Sequence, residues 1–287
     1  MKNDVIIIGG GFTGRAVARR LQEEGLIVAM IDDRDKRAWS RVYGGLWGDS
    51  WLQSDFWEAI RPEWWRQEHY IRARSNVLAE NTVASPFLVA PSLSWADGVV
   101  QIAGGASLDA IDGEVSGGSY DDKTGLWTII YDGRSIQGRK IVIAAGYQTP
   151  EVLRRLSLRT VDIKSVRGRY FLFDSAVAPH EPVFRMSPSG PLWMLRTGPF
   201  TIRIGDTYED EKSNPVAQVE EIVEFGRMID PDLPAPYKNV EGFRSVGPEG
   251  KPFVSSVGPD AWAVGGGGRI GLGIAGGLAH HLTEVIV

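Results

Sequence analysis

Apolar residues follow two rhythms along the chain, and their alternation predicts its architecture. Val5 to Ile8 is an uninterrupted apolar run stopped by glycine, the pattern of a parallel strand buried on both faces. Phe12, Ala16 and Leu21 then recur at helical spacing until Gly25, and Leu26 to Ile31 reads as a second strand, completing a β-α-β unit. Residues Asp55 to Arg74 read as helical, with Pro62 marking a first turn or a kink. Leu126 to Tyr131 and Lys140 to Ala144 read as strands about a glycine-bearing turn. Between Val166 and Asp206 the texture changes to short apolar runs separated by Pro and Gly, which predicts an antiparallel sheet. Asn214 to Ile229 is an amphipathic helix, with Pro215 in its first turn and Val219, Ile222, Val223 and Met228 on one side. "EGFRSV" and "AWAVGGGG" read as strands, and a helix near Ala275 to Val285 follows.

Composition narrows the classes. At 287 residues, with 43% hydrophobic and 23% charged residues, the chain reads as globular and long enough for one large or two interleaved domains. The net charge of −5, without a long basic run, disfavours a nucleic-acid or anionic-membrane partner. The absence of cysteine excludes disulfides, thiolate catalysis, iron–sulfur clusters and cysteine-based zinc sites, so redox chemistry would need a borrowed cofactor. No run approaches the ~20 apolar residues of a membrane span, and the first apolar run lacks the flanks of a signal peptide; a cytoplasmic location is the expectation.

The first turn carries the clearest chemistry. Gly9, Gly11 and Gly14, with Phe12 and Thr13 between the last two, form Gly-x-Gly-x-x-Gly directly after a strand and before a helix. Such glycines permit the tight turn, the approach of a pyrophosphate and close helix–strand packing. The helix N-terminus offers unpaired N–H groups and partial positive charge to the phosphates. Asp32, followed by Asp33, lies 18 residues beyond Gly14 at the end of the second strand, where a carboxylate accepts the ribose hydroxyls and repels a 2′-phosphate. The ligand read from these residues is FAD or NAD rather than NADP.

Three further stretches bear on that choice: "DRDKRAWSRVYGGLWGD" after the second strand, "IVIAAG" in mid-chain and "GGGGRIGLGIAGG" before the last helix. With them the chain resembles the FAD-dependent D-amino acid oxidase superfamily, which includes glycine and sarcosine oxidases. The resemblance implies FAD as cofactor. It places Ser40, Arg41, Gly44 and Gly45 against the flavin and its ribityl chain, Val115 at the adenine, and Ala144, Ala145 and Gly146 near the nucleotide. It sets Gly268, Arg269, Gly271, Leu272 and Gly273 where the last helix aims its N-terminus at the flavin. It also implies a Rossmann-like, discontinuous FAD-binding domain from residues 1–50, 100–160 and 246–287, and an inserted α+β substrate domain with an antiparallel sheet from 51–99 and 161–245.

Arg244, in "VEGFRSVGPEGKPFVSSVG", matches the arginine that grips a substrate carboxylate in this family; the plainer reading is a strand-edge arginine paired with an acid such as Glu241. Guanidinium suits the first role because its planar fork meets two oxygens at once. Tyr43 and Tyr170 are candidate hydroxyl partners; Arg167, Arg185, Arg196 and Arg203 are candidates for the same clamp from the antiparallel sheet, their plainer reading being polar positions on a half-exposed face. Trp57, Trp64 and Trp65 read as core, and His280 and His281 as decoration of the last helix, with no third metal ligand evident. The expected activity is oxidation of the C–N bond of an amino acid or related amine by hydride transfer to flavin. Two alternatives stay open: a flavin-dependent tailoring enzyme acting on a larger or protein-bound substrate, and a non-catalytic FAD-binding subunit. Expected partners are a small-molecule amine or amino acid and, for a short substrate domain, another subunit or a second copy of the chain.

Overall fold

Because β1 (Asn3–Ile8) is apolar at every position from Val5 to Ile8, it needs cover on both faces, and the fold is organised to supply it. The computed structural model describes residues 3–34, 38, 46–48, 52, 55–81, 88–90, 99–101, 110–177, 183–188 and 190–287. After β1 come α1 (Phe12–Glu23), β2 (Val28–Asp32), β3 (Leu46–Gly48), α2 (Asp55–Ile60), α3 (Gln67–Asn81), β4 (Leu88–Ala90), β5 (Val99–Gln101), β6 (Ile111–Asp112), β7 (Val115–Asp121), β8 (Leu126–Tyr131) and β9 (Arg134–Ile143). The chain continues through α4 (Thr149–Arg155), β10 (Lys164–Asp174), β11 (Val183–Ser187), β12 (Gly190–Gly198), β13 (Thr201–Gly205), α5 (Pro215–Ile229), β14 (Lys238–Val246), β15 (Phe253–Gly258), β16 (Ala261–Gly265) and α6 (Gly271–Ile286).

The first sheet runs β15-β16-β9-β1-β2-β6. β1 is parallel to β2 and β9, with Ile8 opposite Ile31 on one side and Ile143 on the other. Val5 and Ile7 face α1 and α6, while Ile6 and Ile8 pack with Trp127, Ile141 and Ile143. Successive connections from β1 leave in opposite directions across the sheet, so a crevice opens above its carboxyl end. The second sheet, β11-β12-β13-β10-β14, is antiparallel throughout. Its apolar face, including Phe171, Phe173, Met194 and Ile204, is covered by Ile222 and Phe225 of α5. A short third sheet pairs β3, β5 and β4. The architecture is the expected α/β arrangement, a mostly parallel sheet with helices and a separate antiparallel sheet. Among the described residues no helix is long and apolar enough to cross a membrane.

Four elements depart from the reading of the sequence. The helix expected over Asp55 to Arg74 is two, α2 and α3, because Pro62 lacks an N–H and its segment turns instead, with the Trp65 N–H bonded to the Pro62 carbonyl. The second strand begins at Val28, leaving Leu26 and Ile27 in the approach to it. In α5, Met228 is 62% exposed, and Phe225 with Ile222 fills the core-facing side; Asn214 caps this helix by accepting from the Val216 and Ala217 N–H groups. The last helix starts at Gly271, earlier than its apolar periodicity shows, because glycines supply its first turn.

α6 packs so closely on α3 and the turn leading into it that a Cβ at Gly277 would lie 2.2 Å from Trp65 and 2.9 Å from the His69 carbonyl. Beyond that contact the two helices are joined by a cluster around Glu284, which accepts from Arg66 Nη2 at 2.9 Å. His281 stacks on Trp64 at 4.0 Å, and its Nδ1 lies 3.5 Å from Glu284. His69 is fully buried, and its Nδ1 accepts the Arg66 N–H at 2.7 Å. That bond leaves the imidazole proton on Nε2, 3.7 Å from Glu284. The histidines therefore do more than decorate the helix. Donor atoms of His69, His281 and Glu284 lie within 4.8 Å of one another, but the lone pair of His69 is spent on capping α3. The cluster works as a clamp between helices.

Burial, reinforced by the neighbouring His281, lowers the pKa of His69 from 6.5 to about 4. Its folded-state pKa lies below the unfolded value, so the unfolded chain takes up the proton first and stability is lost as pH falls from 6.5 toward 4. The expected loss at pH 4 is on the order of 3 kcal/mol. Urea midpoints measured across this window will fall with acidification, and a His69→Gln variant, less stable throughout, will show a flatter profile between pH 6.5 and 5.

Candidate functional site

The crevice above β1 opens into a cleft with about 1200 Å³ of space, its mouth included. At one end stand Asp32, Gly113, Glu114, Val115 and Arg155; the glycine turn after β1 and the segment Ala144 to Gln148 after β9 form the middle; Arg244, Ser245, Gly265, Gly267 to Arg269, Gly271 and Leu272 close the other end. Glycine is required in the middle for steric reasons. A Cβ on Gly9, whose φ is +110°, would sit 2.4 Å from the Ala144 carbonyl oxygen, and one on Gly14 would sit 1.9 Å from the Gly9 oxygen. Gly14 thus packs helix on turn and does not itself line the cleft. Asp32 lies over the turn, since a Cβ on Gly10 would meet its carboxylate at 2.8 Å.

Two helix N-termini converge here. Neither Gly11 ahead of α1 nor Ile270 ahead of α6 provides a side-chain cap, and neither helix has an acid in its first turn. The leading N–H groups and the positive ends of both dipoles are directed to the cleft, an arrangement suited to anions. Gly273 lies buried within the first turn of α6. These residues fit an extended dinucleotide: a carboxylate for a ribose at one end, side-chain-free backbone and a helix N-terminus for a diphosphate, and a second helix N-terminus at the far end.

At the Val115 end, Arg155 donates to the Val115 carbonyl at 2.8 Å and is held by Glu151 and Glu114. The cationic end is built differently from the sequence reading. Arg244 is buried at the wall of the cleft, and its partner is an acid other than Glu241. Its Nη2 pairs with Asp206, and its Nη1 donates to the Thr207 carbonyl at 3.0 Å. Burial pushes its pKa down, with Asp206 opposing. Tyr208 lies near both arginines of this end, its ring centre 5.7 Å from the Arg244 guanidinium carbon and 4.9 Å from that of Arg269, and burial raises its pKa.

Strand β13 continues past its end along β10, because Thr207 and Glu209 N–H groups bond to the Arg169 and Arg167 carbonyls. Glu209 locks this segment, accepting from Thr207 Oγ1 at 2.7 Å, Arg169 Nε at 2.6 Å and Arg167 Nε at 2.8 Å. Burial works to raise its pKa, but these bonds hold it below the usual value.

Among the sequence-predicted residues, Gly9, Gly11, Phe12, Thr13, Asp32, Asp33, Val115, Ala144, Ala145, Gly146, Arg244, Gly268, Arg269, Gly271 and Leu272 line this cleft together. Tyr170 is not among the residues lining it: it is buried against Trp193 and Arg203, on the face of the second sheet that carries Arg244. Of the other arginines, Arg167 pairs with Glu209, Arg185 lies near Glu224, Arg196 donates to the Gly198 and Pro199 carbonyls, and Arg203 sits over Tyr170. Ser40, Arg41, Tyr43, Gly44 and Gly45 lie outside the described residues. Asp206, Thr207 and Tyr208 went unread because "GDTYED" has no motif spacing; only the fold brings it beside Arg244.

Comparison with known proteins agrees with this geometry. The family model for FAD dependent oxidoreductase matches residues 4–114 and 96–285. Iminodiacetate oxidase from Chelativorans sp. BNC1 is similar in structure, with 19% identity, a TM-score of 0.68 and coverage of 98% of this chain and 95% of that one. Glycine oxidase from Geobacillus kaustophilus gives 15% identity, a TM-score of 0.69 and coverage of 99% and 95%. Glycerol-3-phosphate dehydrogenase from Bacillus halodurans, complexed with FAD, gives 17%, 0.65, and coverage of 99% and 64%. These likenesses show the fold. The curated relatives match over a short stretch only: the lycopene beta cyclase of an Oncidium hybrid cultivar is 36% identical over 61 residues, 21% of this chain and 13% of that protein.

Removing the Asp32 carboxylate costs charged hydrogen bonds to a ribose, so Asp32→Ala is expected to weaken dinucleotide uptake by roughly ten- to a hundredfold. Gly14→Ala forces helix off turn and is expected to weaken it at least as much. Equilibrium dialysis of the purified variants, with circular dichroism as the folding control, checks both.

Proposed function

Because the chain belongs to the FAD dependent oxidoreductase family, we propose that it oxidises the C–N bond of a small amine bearing an anionic group, an amino acid or a close relative. The observation that carries the reading is the cationic end of the cleft, where Arg269 and Arg244 stand beside the N-terminus of α6. Iminodiacetate and glycine, named in the two oxidases of similar fold, each join an amine to a carboxylate one carbon away, which such an end suits.

Bound FAD supplies a two-electron acceptor for hydride leaving the carbon beside nitrogen. The chain's own residues bind and orient. The N–H groups leading α1 take the diphosphate, Asp32 the ribose hydroxyls, and the α6 N-terminus favours the negative charge that reduction brings. The cationic end fixes the substrate's anionic group, so that its amine-bearing carbon is held in one orientation. Among the described cleft-lining residues there is no histidine. The substrate would react as the free amine, because only an unprotonated nitrogen has the lone pair that closes the C=N bond as hydride leaves the carbon; water would then hydrolyse the imine. Residues 1–50, 100–160 and 246–287 are assigned to cofactor binding in this reading, and 51–99 with 161–245 to the substrate side.

Purified protein is expected to carry flavin absorbance that denaturation releases. Mixed anaerobically with glycine, iminodiacetate and N-alkyl amino acids, at least one will bleach the bound flavin. Bleaching by glycerol phosphate alone would move the reaction to a C–O bond and overturn the amine reading.

A further inference from the structure

We propose that Asp206 fills the fork of Arg244 in place of a substrate carboxylate, and that the substrate's carboxylate docks instead on Arg269. This deepens the amine-oxidation reading and rests on it for the identity of the substrate.

The two guanidiniums are held in different ways. Arg244 lies with Nη2 on the Asp206 carboxylate and Nη1 on the Thr207 carbonyl, and a Cβ on Gly168 of the neighbouring strand would lie 2.1 Å from Nη1. Its side chain is completely buried, and that of Asp206 is 10% exposed. A ligand that took this fork would have to expel Asp206 and leave a second carboxylate beside it, in a place where unpaired charge is strongly disfavoured. Nor is Asp206 free to move aside, since the next residues are tied to β10 by the Thr207 and Glu209 bonds. Arg244 is thus a positioning residue, neutralised from within the chain.

Arg269 has no such partner. Among the described residues no carboxylate or carbonyl bonds it, and its buried Nε lacks an acceptor. What holds it is packing: the Tyr208 ring at 4.9 Å and the backbone of Gly190, where a Cβ would come within 2.3 Å of Nη1. A guanidinium held by a ring and a backbone has its orientation set before any ligand arrives, while its in-plane N–H groups remain to be satisfied. It stands in the cleft directly ahead of α6, whose N-terminus adds to the positive potential. Two guanidiniums flanking Tyr208 are served by one carboxylate, Asp206, among the described residues, and a monoanionic ligand completes the set. A planar carboxylate matches the fork geometry, whereas an ammonium or a neutral amine gains nothing there.

The test is a calorimetric titration of the FAD-loaded protein with acetate, with inorganic phosphate as a second arm and the flavin spectrum as a control for the cofactor. Arg269→Gln is expected to weaken acetate binding at least tenfold, and Arg269→Lys to restore part of it. In the Asp206→Asn/Arg269→Gln double variant the fork of Arg244 is released, and acetate binding is expected to return. Acetate binding unchanged in Arg269→Gln would overturn the proposal, as would phosphate binding tighter than acetate. A double variant that stays as weak as Arg269→Gln, with its flavin spectrum intact, would overturn the role of Asp206. Because the readout is binding, it stands apart from turnover: a protein that no amine reduces but that binds acetate through Arg269 would refute the reaction and keep the site.

Discussion

The structure depends on one steric constraint, the meeting of β1, α1 and β9 at the turn that begins with Gly9. A strand buried on both faces must end against a helix that starts four residues later, with the Ala144 backbone pressed on the turn. No side chain fits at Gly9 or Gly14, so the surface left there is bare backbone with its N–H groups turned outward. The same packing that satisfies the hydrophobic core thereby leaves a backbone surface suited to an anion.

The second helix N-terminus reaches that place by a long route. The chain leaves the first sheet, builds the antiparallel sheet and returns through β15 and β16 before α6 begins beside the turn. The cleft is therefore bounded by parts of the chain more than 200 residues apart, Gly9 at one border and Arg269 at another. A ligand spanning it ties both sheets together, so cofactor retention and mutual support of the two sheets are physically coupled.

Much of this was legible in the sequence where local rules govern. Val5 to Ile8, the three glycines and Asp32 each follow from short-range sterics and charge, and the structure places them as read. Asn214 and Pro215 mark the start of α5 in the same way. The start of α6 at Gly271 was harder to see, because glycine-rich turns carry no apolar rhythm. Side-chain partners at long range were not legible. Arg244 could be assigned to Glu241 or to a ligand, but Asp206 enters only because β13 runs on beside β10, and Tyr170, which alternation places on the face of the second sheet that carries Arg244, is covered there by Trp193 and Arg203. The glutamate-centred clamp of α3 and α6 escaped notice for a related reason: His69 and Glu284 are far apart in sequence, and neither sits in a spacing that announces the other.

That clamp has a further bearing on α6, a rod of 16 residues and so about 24 Å long. With Trp65 seated on Gly277 and Glu284 gripped by Arg66, the helix is indexed like a key in a lock. A slip of one residue would turn it by about 100° and shift its first turn, Gly271 and Leu272, against the crevice. Tryptophans and histidines remote from any chemistry thus set the angular setting of the end that meets the ligand.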